Sequence, residues 1–285
     1  MNRLLAGLRP EAAPPLLRST LAVLLLIAVV ALFGPVLSPN NAVDTNFDRI
    51  LAPPSLESAH YFGTDDLGRD LFVRTLEGTR VTLLVAVVAS FVSLIIGVSY
   101  GAAAGFAGGR VDAVMMRIVD TLYAVPFIFL VILLMVVFEQ NFLLIFIAIG
   151  AVNWLDMARV VRGQTLSLKE REFVAAARLI GVSGPRLVAR HILPNMLGVV
   201  LVYLTLAIPQ VILVESFLSF LGLGIQEPEA SLGTLVAGGV STLETAPWVL
   251  LIPSLTLFVI LLAFNFLGDG LRDAADVRGQ RGLRQ

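Results

Sequence analysis

The chain has 285 residues, of which 57% are hydrophobic and only 14% charged, and its formal net charge is −1. A soluble domain averages nearer a quarter charged residues, and the mean hydropathy of +0.89 points the same way, to a protein that lives in a membrane. The absence of cysteine excludes a disulfide framework, a thiolate metal site and a cysteine nucleophile, and no Gly-Lys-Ser/Thr phosphate loop is present.

Charge-free runs of about 20 residues are long enough to cross a hydrocarbon core of about 30 Å. The first runs from Leu21 to Leu37, after a short amino-terminal stretch (1–18) carrying Arg3, Arg9 and Arg18. Its apolar core is near the upper limit for a cleaved leader, and Phe33 to Pro39 offers no small-x-small cleavage site, so a retained anchor over 19–37 is expected. A polar segment, 38–80, follows. Within it Thr64-Asp65-Asp66 reads as a helix start, a capping hydroxyl followed by carboxylates, with Phe72, Val73 and Leu76 as an apolar stripe. This helix is either interfacial or a solvated loop helix covering the bundle.

Further spans are expected in Val81 to Gly109, ending near Ala104, then Thr121 to Phe138, Gln140 to Leu155, Ile192 to Val214, and Thr245 to Gly268. A polar turn at Glu139-Gln140-Asn141 separates the third from the fourth. Alternating strand patterns are absent and helices satisfy their own backbone groups in lipid, so the predicted fold is an all-α membrane protein of six transmembrane helices. The last five form a core over 81–268, and 269–285 is a tail. Gly97, Gly101 and Gly105 make a small-x-x-x-small ladder in the second span, a helix-packing face.

Placing the amino terminus in the cytoplasm puts sixteen Lys and Arg residues inside, and leaves only Arg49, Arg69, Arg74 and Arg80 outside. That bias orients both termini and the 159–195 loop to the cytoplasm. Outside lie 38–80, with seven acids against four arginines, and 223–247, with Glu227, Glu229 and Glu244 and no base.

The inner loop is the most distinctive stretch. Arg159 to Arg190 holds seven basic residues and two acids, Glu170 and Glu172. Retention near anionic headgroups explains the charge, but not the order of residues. Glu172-Phe-Val-Ala-Ala-Ala-Arg-Leu-Ile favours a helix, Gly181 stops it, Ser183 can cap the next, Pro185 suits its first turn, and Pro194 closes it before the fifth span. Ala175, Ala176 and Ala177 keep one flank free of bulk, as a helix seated in another protein's groove requires.

This loop resembles the signature of ABC-transporter permeases: Glu-Ala-Ala, three residues, Gly, nine residues, an apolar residue, x, Leu-Pro. Ala176, Ala177, Gly181, Leu193 and Pro194 fall at the matching positions. Phe62-Gly-Thr-Asp-Asp-Leu-Gly-Arg-Asp70, Arg190-His-Ile-Leu-Pro-Asn195, Glu215-Ser-Phe-Leu-Ser-Phe-Leu-Gly-Leu-Gly224 and Gly268-Asp-Gly-Leu-Arg-Asp273 are similar to the importers of the dipeptide, oligopeptide and nickel group. The similarity runs from about residue 60 to 278, and within a permease pair it points to the subunit with the shorter extracellular segment. Ala175 departs from the signature's glutamate, with Glu172 one turn earlier on the same face as a substitute, and His191 stands where the general pattern is apolar.

The resemblance implies a non-enzymatic subunit forming half of a translocation path in a bacterial or archaeal cytoplasmic membrane. It implies a second homologous permease, two cytoplasmic ATPases that bind the ATP and Mg, an extracellular or periplasmic substrate-binding protein, and surrounding lipid. No cofactor in this chain and no nucleic acid are implied. Glu172, Ala176, Ala177, Arg178, Gly181 and Ser183 are the expected coupling residues. Di- and oligopeptides are the expected cargo, with nickel chelates, glutathione and oligosaccharides as alternatives.

Other polar residues have weaker readings. Glu215, at the outer end of the fifth span, either faces a pore, caps a helix or pairs with the second permease; Pro209 is an expected kink or hinge. Asn153 and Asp156 are expected to make structural hydrogen bonds. His60 and His191 are too few and too far apart in sequence for a metal site. A secondary transporter would need a carboxylate at the centre of a span, and a membrane enzyme a nucleophile elbow or zinc motif; neither is found.

Overall fold

A computed structural model describes the backbone of residues 15–126, 129, 132, 133 and 142–282. Among these residues there is no strand beyond isolated bridges at Ser55–His60 and Thr64–Asp70. They form nine α-helices: α1 (Pro15–Leu37), α2 (Leu71–Ala107), α3 (Gly109–Ala124), α4 (Phe142–Lys169), α5 (Glu172–Leu179), α6 (Gly184–Leu187), α7 (Leu193–Phe220), α8 (Leu232–Val240) and α9 (Pro247–Gly282). Among the described residues, four stretches are long and apolar enough to cross a membrane: Leu16–Leu37, Leu71–Ala107, Gly184–Phe220 and Pro247–Ala274. Half of the third predicted span and the Glu139-Gln140-Asn141 turn lie outside the described residues.

Two compact units are present. One gathers the described residues up to Val87 with Ile208–Ala274, the other Val88–Ala207 with the described residues from Ala275 on. The boundaries fall inside α2, inside α7 next to Pro209, and inside α9 after Ala274.

In the first unit, Ala86, Ile212, Leu232 and Ile260 form a buried core shared by α2, α7, α8 and α9. A second patch, Leu71, Ala246 and Val249, is sealed by Leu51, Phe62 and Trp248. The expected helix start at Thr64 is displaced. The chain turns there instead, because Gly68 takes φ +74°, off the right-handed helical path, and a side chain there would run into the backbone of Asn46. Asp70 is the actual cap: its carboxylate accepts the Val73 N–H at 2.9 Å. From Leu71 the helix runs unbroken for 37 residues, so the expected loop helix and the second span are one element.

In the second unit the predicted glycine ladder is a contact surface. A Cβ at Gly97 would stand 2.5 Å from Met157 Cβ, and one at Gly105 2.8 Å from the Arg162 carbonyl oxygen. At Gly101 it would overlap the carbonyl oxygen of Ala158. Gly150 makes the matching approach from α4, where a Cβ would lie 2.7 Å from the Ala89 carbonyl oxygen. These glycines let α2 and α4 pack backbone to backbone, as small residues do between membrane helices. Helix α4 continues well past Leu155 and carries Arg159, Arg162 and Lys169 on its extension.

Candidate functional site

The basic island folds as a helical knuckle on the second unit. Helix α5 places Val174 and Ala177, 0% and 5% exposed, in a core with Ala102, Met157, Val161, Leu187, Ile192 and Met196. Burying a side chain the size of valine or leucine contributes about 1.5–3 kcal/mol, so the knuckle is seated firmly without help from partners. The opposite face, Glu172, Ala175, Ala176 and Leu179, follows the spacing of one helical stripe and is exposed, as are Arg178, Gly181 and Ser183.

The end of α5 is a Schellman cap. Val182 N–H donates to the Ala177 carbonyl at 3.1 Å, Gly181 N–H to that of Arg178 at 3.0 Å, and Gly181 takes φ +83°. Val182 turns inward onto the same core as Ala177. Leu179 and Ile180 are then left at the tip, 88% and 82% exposed. Sequence reasoning missed this pair; the available signal was two bulky apolar residues directly before a capping glycine in an otherwise polar loop. Ala177, expected as a contact residue, faces inward.

Three groups fix the base of the knuckle. Arg162 grips Asp112 with two hydrogen bonds, Nε to Oδ1 at 2.5 Å and Nη2 to Oδ2 at 2.6 Å, tying α3 to α4. These bonds hold the Asp112 carboxyl below its ordinary range. Lys169 Nζ donates to the Gly105 carbonyl at 3.0 Å, and the Arg178 guanidinium lies 5.7 Å from the centre of the Phe106 ring.

Beyond Gly181 two expectations change. Ser183 occupies the N-cap position of α6 but makes no side-chain cap bond. Pro194 does not end the second helix: α6 passes through a single π turn, Val188–Ile192, into α7. Proline has no N–H to give an α-helical partner and crowds the carbonyl four residues back, and the wider turn accommodates both. Leu193 N–H closes it on the Val188 carbonyl.

In the first unit, Glu215 lies within α7 and is 1% exposed, with Oε1 accepting from Ser219 Oγ at 2.8 Å. Ser219 Oγ is 3.4 Å from Ser231 Oγ, the residue that caps α8, so Glu215 belongs to a buried polar seam between α7 and α8. Pro209 is buried in the same helix. In the second unit Asn153 Nδ2 is buried without a partner, whereas the Asp156 carboxylate accepts from the Tyr123 hydroxyl, as expected of a structural group. His60 pairs with Asp70 at 2.7 Å, and no group of metal-ligating side chains occurs among the described residues.

The Phe62–Asp70 motif builds an ion cage. Asp65 Oδ1 accepts the N–H groups of Leu67 and Arg69, and its Oδ2 accepts from Arg69 Nε at 2.7 Å. Arg74 Nε lies 3.3 Å from the same oxygen without hydrogen-bond alignment. Both guanidiniums also hold Glu227, at 2.5 Å from Arg69 and 3.1 Å from Arg74. Nothing in local sequence spacing signals this long-range contact.

The described residues thus combine membrane-length apolar helices, a glycine-packed contact between α2 and α4, and a helical knuckle. Residues 97–278 match the family described as binding-protein-dependent transport system inner membrane component, and the chain belongs to that family. It is 54% identical over 258 residues to the oligopeptide transport system permease protein OppC of Escherichia coli K12, covering 90% of this chain and 85% of that one. It is also 49% identical over 262 residues to OppC of Haemophilus influenzae, covering 91% and 84%. To the dipeptide transport system permease protein DppC of Bacillus subtilis it is 44% identical over 262 residues, covering 92% and 81%. Its fold is similar to a chain of the inward-facing MetNI methionine ABC transporter, with a TM-score of 0.56 over 72% of this chain and 97% of that one, at 19% identity.

Proposed function

We propose that this chain is one of two permease subunits of an ATP-driven importer of di- and oligopeptides. It spans the cytoplasmic membrane six times, with both termini and the knuckle in the cytoplasm. Two ATPase subunits bind ATP and Mg and close on the knuckles, and an external binding protein delivers the cargo. The chain itself performs no chemistry.

The observation that carries this reading is the exposed face and tip of α5 on a rigid base. A knuckle packed on the second-unit parts of α2, α4 and α7 moves with them, so force applied to Glu172, Ala176, Arg178, Leu179 and Ile180 passes to those helices. Gly181 and the exposed Ser183 shape the turn beside that face, and Ala177 anchors it from within. Pro209, beside a unit boundary, serves as the hinge in this reading. Glu215 holds α8 in place rather than meeting cargo.

The test is reconstitution of the chain with its second permease, ATPases and binding protein in liposomes. ATP-dependent uptake of tri-alanine is expected, and no uptake when the ATPases are omitted. Uptake without ATPases restores the secondary-transporter reading; uptake of a nickel chelate, glutathione or an oligosaccharide in place of peptide changes the cargo.

A further inference from the structure

Residues 43–57, in the segment that the charge bias places outside, carry bulky apolar side chains that the core of the first unit does not use. Phe47 is 70% exposed and Leu56 85%. The backbone that displays them is pinned. Thr64 Oγ1 donates to the Arg49 carbonyl and accepts the Ala52 N–H at 2.8 Å. Leu51 N–H donates to the Asp65 carbonyl at 3.0 Å, and Arg74 Nη1 to that of Ala42 at 3.3 Å. Ser55 N–H closes a tight turn on the His60 carbonyl at 2.9 Å, which leaves Leu56 and Glu57 at its tip. Two non-glycine residues in and beside this stretch, Leu51 and Ala59, take left-handed backbone, with φ of +50° and +56°. Such conformations persist only where the surroundings enforce them, and they gather at functional sites. A loop that only joined α1 to α2 would need neither the pinning nor the display.

We propose that Phe47 and Leu56 are the anchors of a docking surface for a soluble protein with a basic face. Its identity rests on the importer reading, in which it is the external binding protein. Charge selects this occupant. Asp44, Asp48 and Glu57 are exposed beside the anchors against one base, Arg49. Arg69 and Arg74, which would otherwise offset them, are buried in the cage with Asp65 and Glu227. The carboxylates keep the anchors out of lipid, where charge is costly to bury. A permanent interface with the second permease would place them at its core, where charged residues are depleted. Carboxylates around apolar anchors suit a partner that arrives and leaves, because the field speeds its approach and the anchors hold it. A fixed backbone also lowers the ordering cost of each encounter.

The test uses the assembled complex in nanodiscs and the purified, peptide-loaded binding protein, with association followed by interferometry at low and high salt. Phe47→Ser with Leu56→Ser is expected to raise Kd at least about tenfold, mainly through faster dissociation. Asp44→Asn with Asp48→Asn and Glu57→Gln is expected to slow association about tenfold at low salt and to flatten its salt dependence. All five side chains are exposed, so unfolding temperatures and co-purification of the second permease should match the parent. Loss of the second permease from the serine variant would place the anchors against that subunit and overturn the proposal. An unchanged Kd in that variant, or a parental salt dependence in the charge variant, overturns it too. Tri-alanine uptake separates the two claims. If the parent takes up peptide and both variants bind normally, the importer reading stands and the docking surface falls. If the variants lose the binding protein while the parent takes up no peptide, the docking surface stands and the importer reading falls. A parent complex that never engages the binding protein overturns both.

Discussion

Gly101 approaches Ala158 so closely that any side chain at 101 would begin inside the contact distance of the Ala158 carbonyl oxygen. The obstacle is backbone, which cannot rotate aside. Gly101→Val is expected to separate α2 from α4, at a cost of at least about 1–3 kcal/mol, and to lower the thermal unfolding temperature of the purified chain in detergent. Gly163, in α4, faces open space: a Cβ added there would meet nothing within 4 Å. Gly163→Ala should therefore leave stability unchanged or raise it by about 0.5–1 kcal/mol.

Gly181 presents the opposite case. Its surroundings are open, but its φ of +83° is one that side chains resist. Gly181→Val is expected to cost about 1–2 kcal/mol locally. Helix content by circular dichroism should persist while ATP-dependent peptide uptake falls, and Gly181→Asn should be milder. A fully active valine variant would remove the turn from the coupling argument.

Leu179 and Ile180 can be changed without touching the core. Leu179→Ser with Ile180→Ser should alter stability by no more than about 0.5 kcal/mol, yet reduce co-purification of the ATPases. Glu172→Ala is expected to preserve assembly and weaken transport-coupled ATP hydrolysis; unchanged coupling would show that Glu172 does not stand in for the carboxylate missing at Ala175.

The Asp112–Arg162 pair gives the knuckle base an acid-sensitive component outside the predicted spans. The folded-state pKa of Asp112 is depressed, chiefly by the hydrogen bonds from Arg162. The pair therefore stabilises the fold above the ordinary aspartate value of about 3.9, and that contribution is lost as pH falls through the lower folded value. In Asp112→Asn the unfolding temperature should be lower at neutral pH and should fall less steeply on acidification than in the parent. Parallel curves for the two proteins would count against the assignment.

Much of the second unit was legible in the sequence, because its logic is local or periodic. The spacing of Gly97, Gly101 and Gly105 predicted a packing face, and Gly181 predicted a helix stop. Where two local signals compete, spacing alone misjudged the outcome. Thr64-Asp65-Asp66 reads as a cap, but Gly68 redirects the chain and leaves Asp70 to do the capping. The ion cage was out of reach for a different reason: Glu227 meets Arg69 across 158 residues, and no period or local propensity encodes such a pairing.

The π turn at Val188–Ile192 fixes more than a bend. It absorbs one residue beyond the α-helical repeat, and one residue corresponds to about 100° of rotation about a helix axis. Deleting Ala189 would bring α6 and α7 into α-helical phase, with Pro194 now kinking the junction, and swing everything downstream by about that angle. Met196 and Val200, now 1% and 4% exposed, would leave the interior, and apolar neighbours such as Leu197 would rotate out of register with their present surroundings. A single surplus residue thus sets the angular phase of an entire membrane helix.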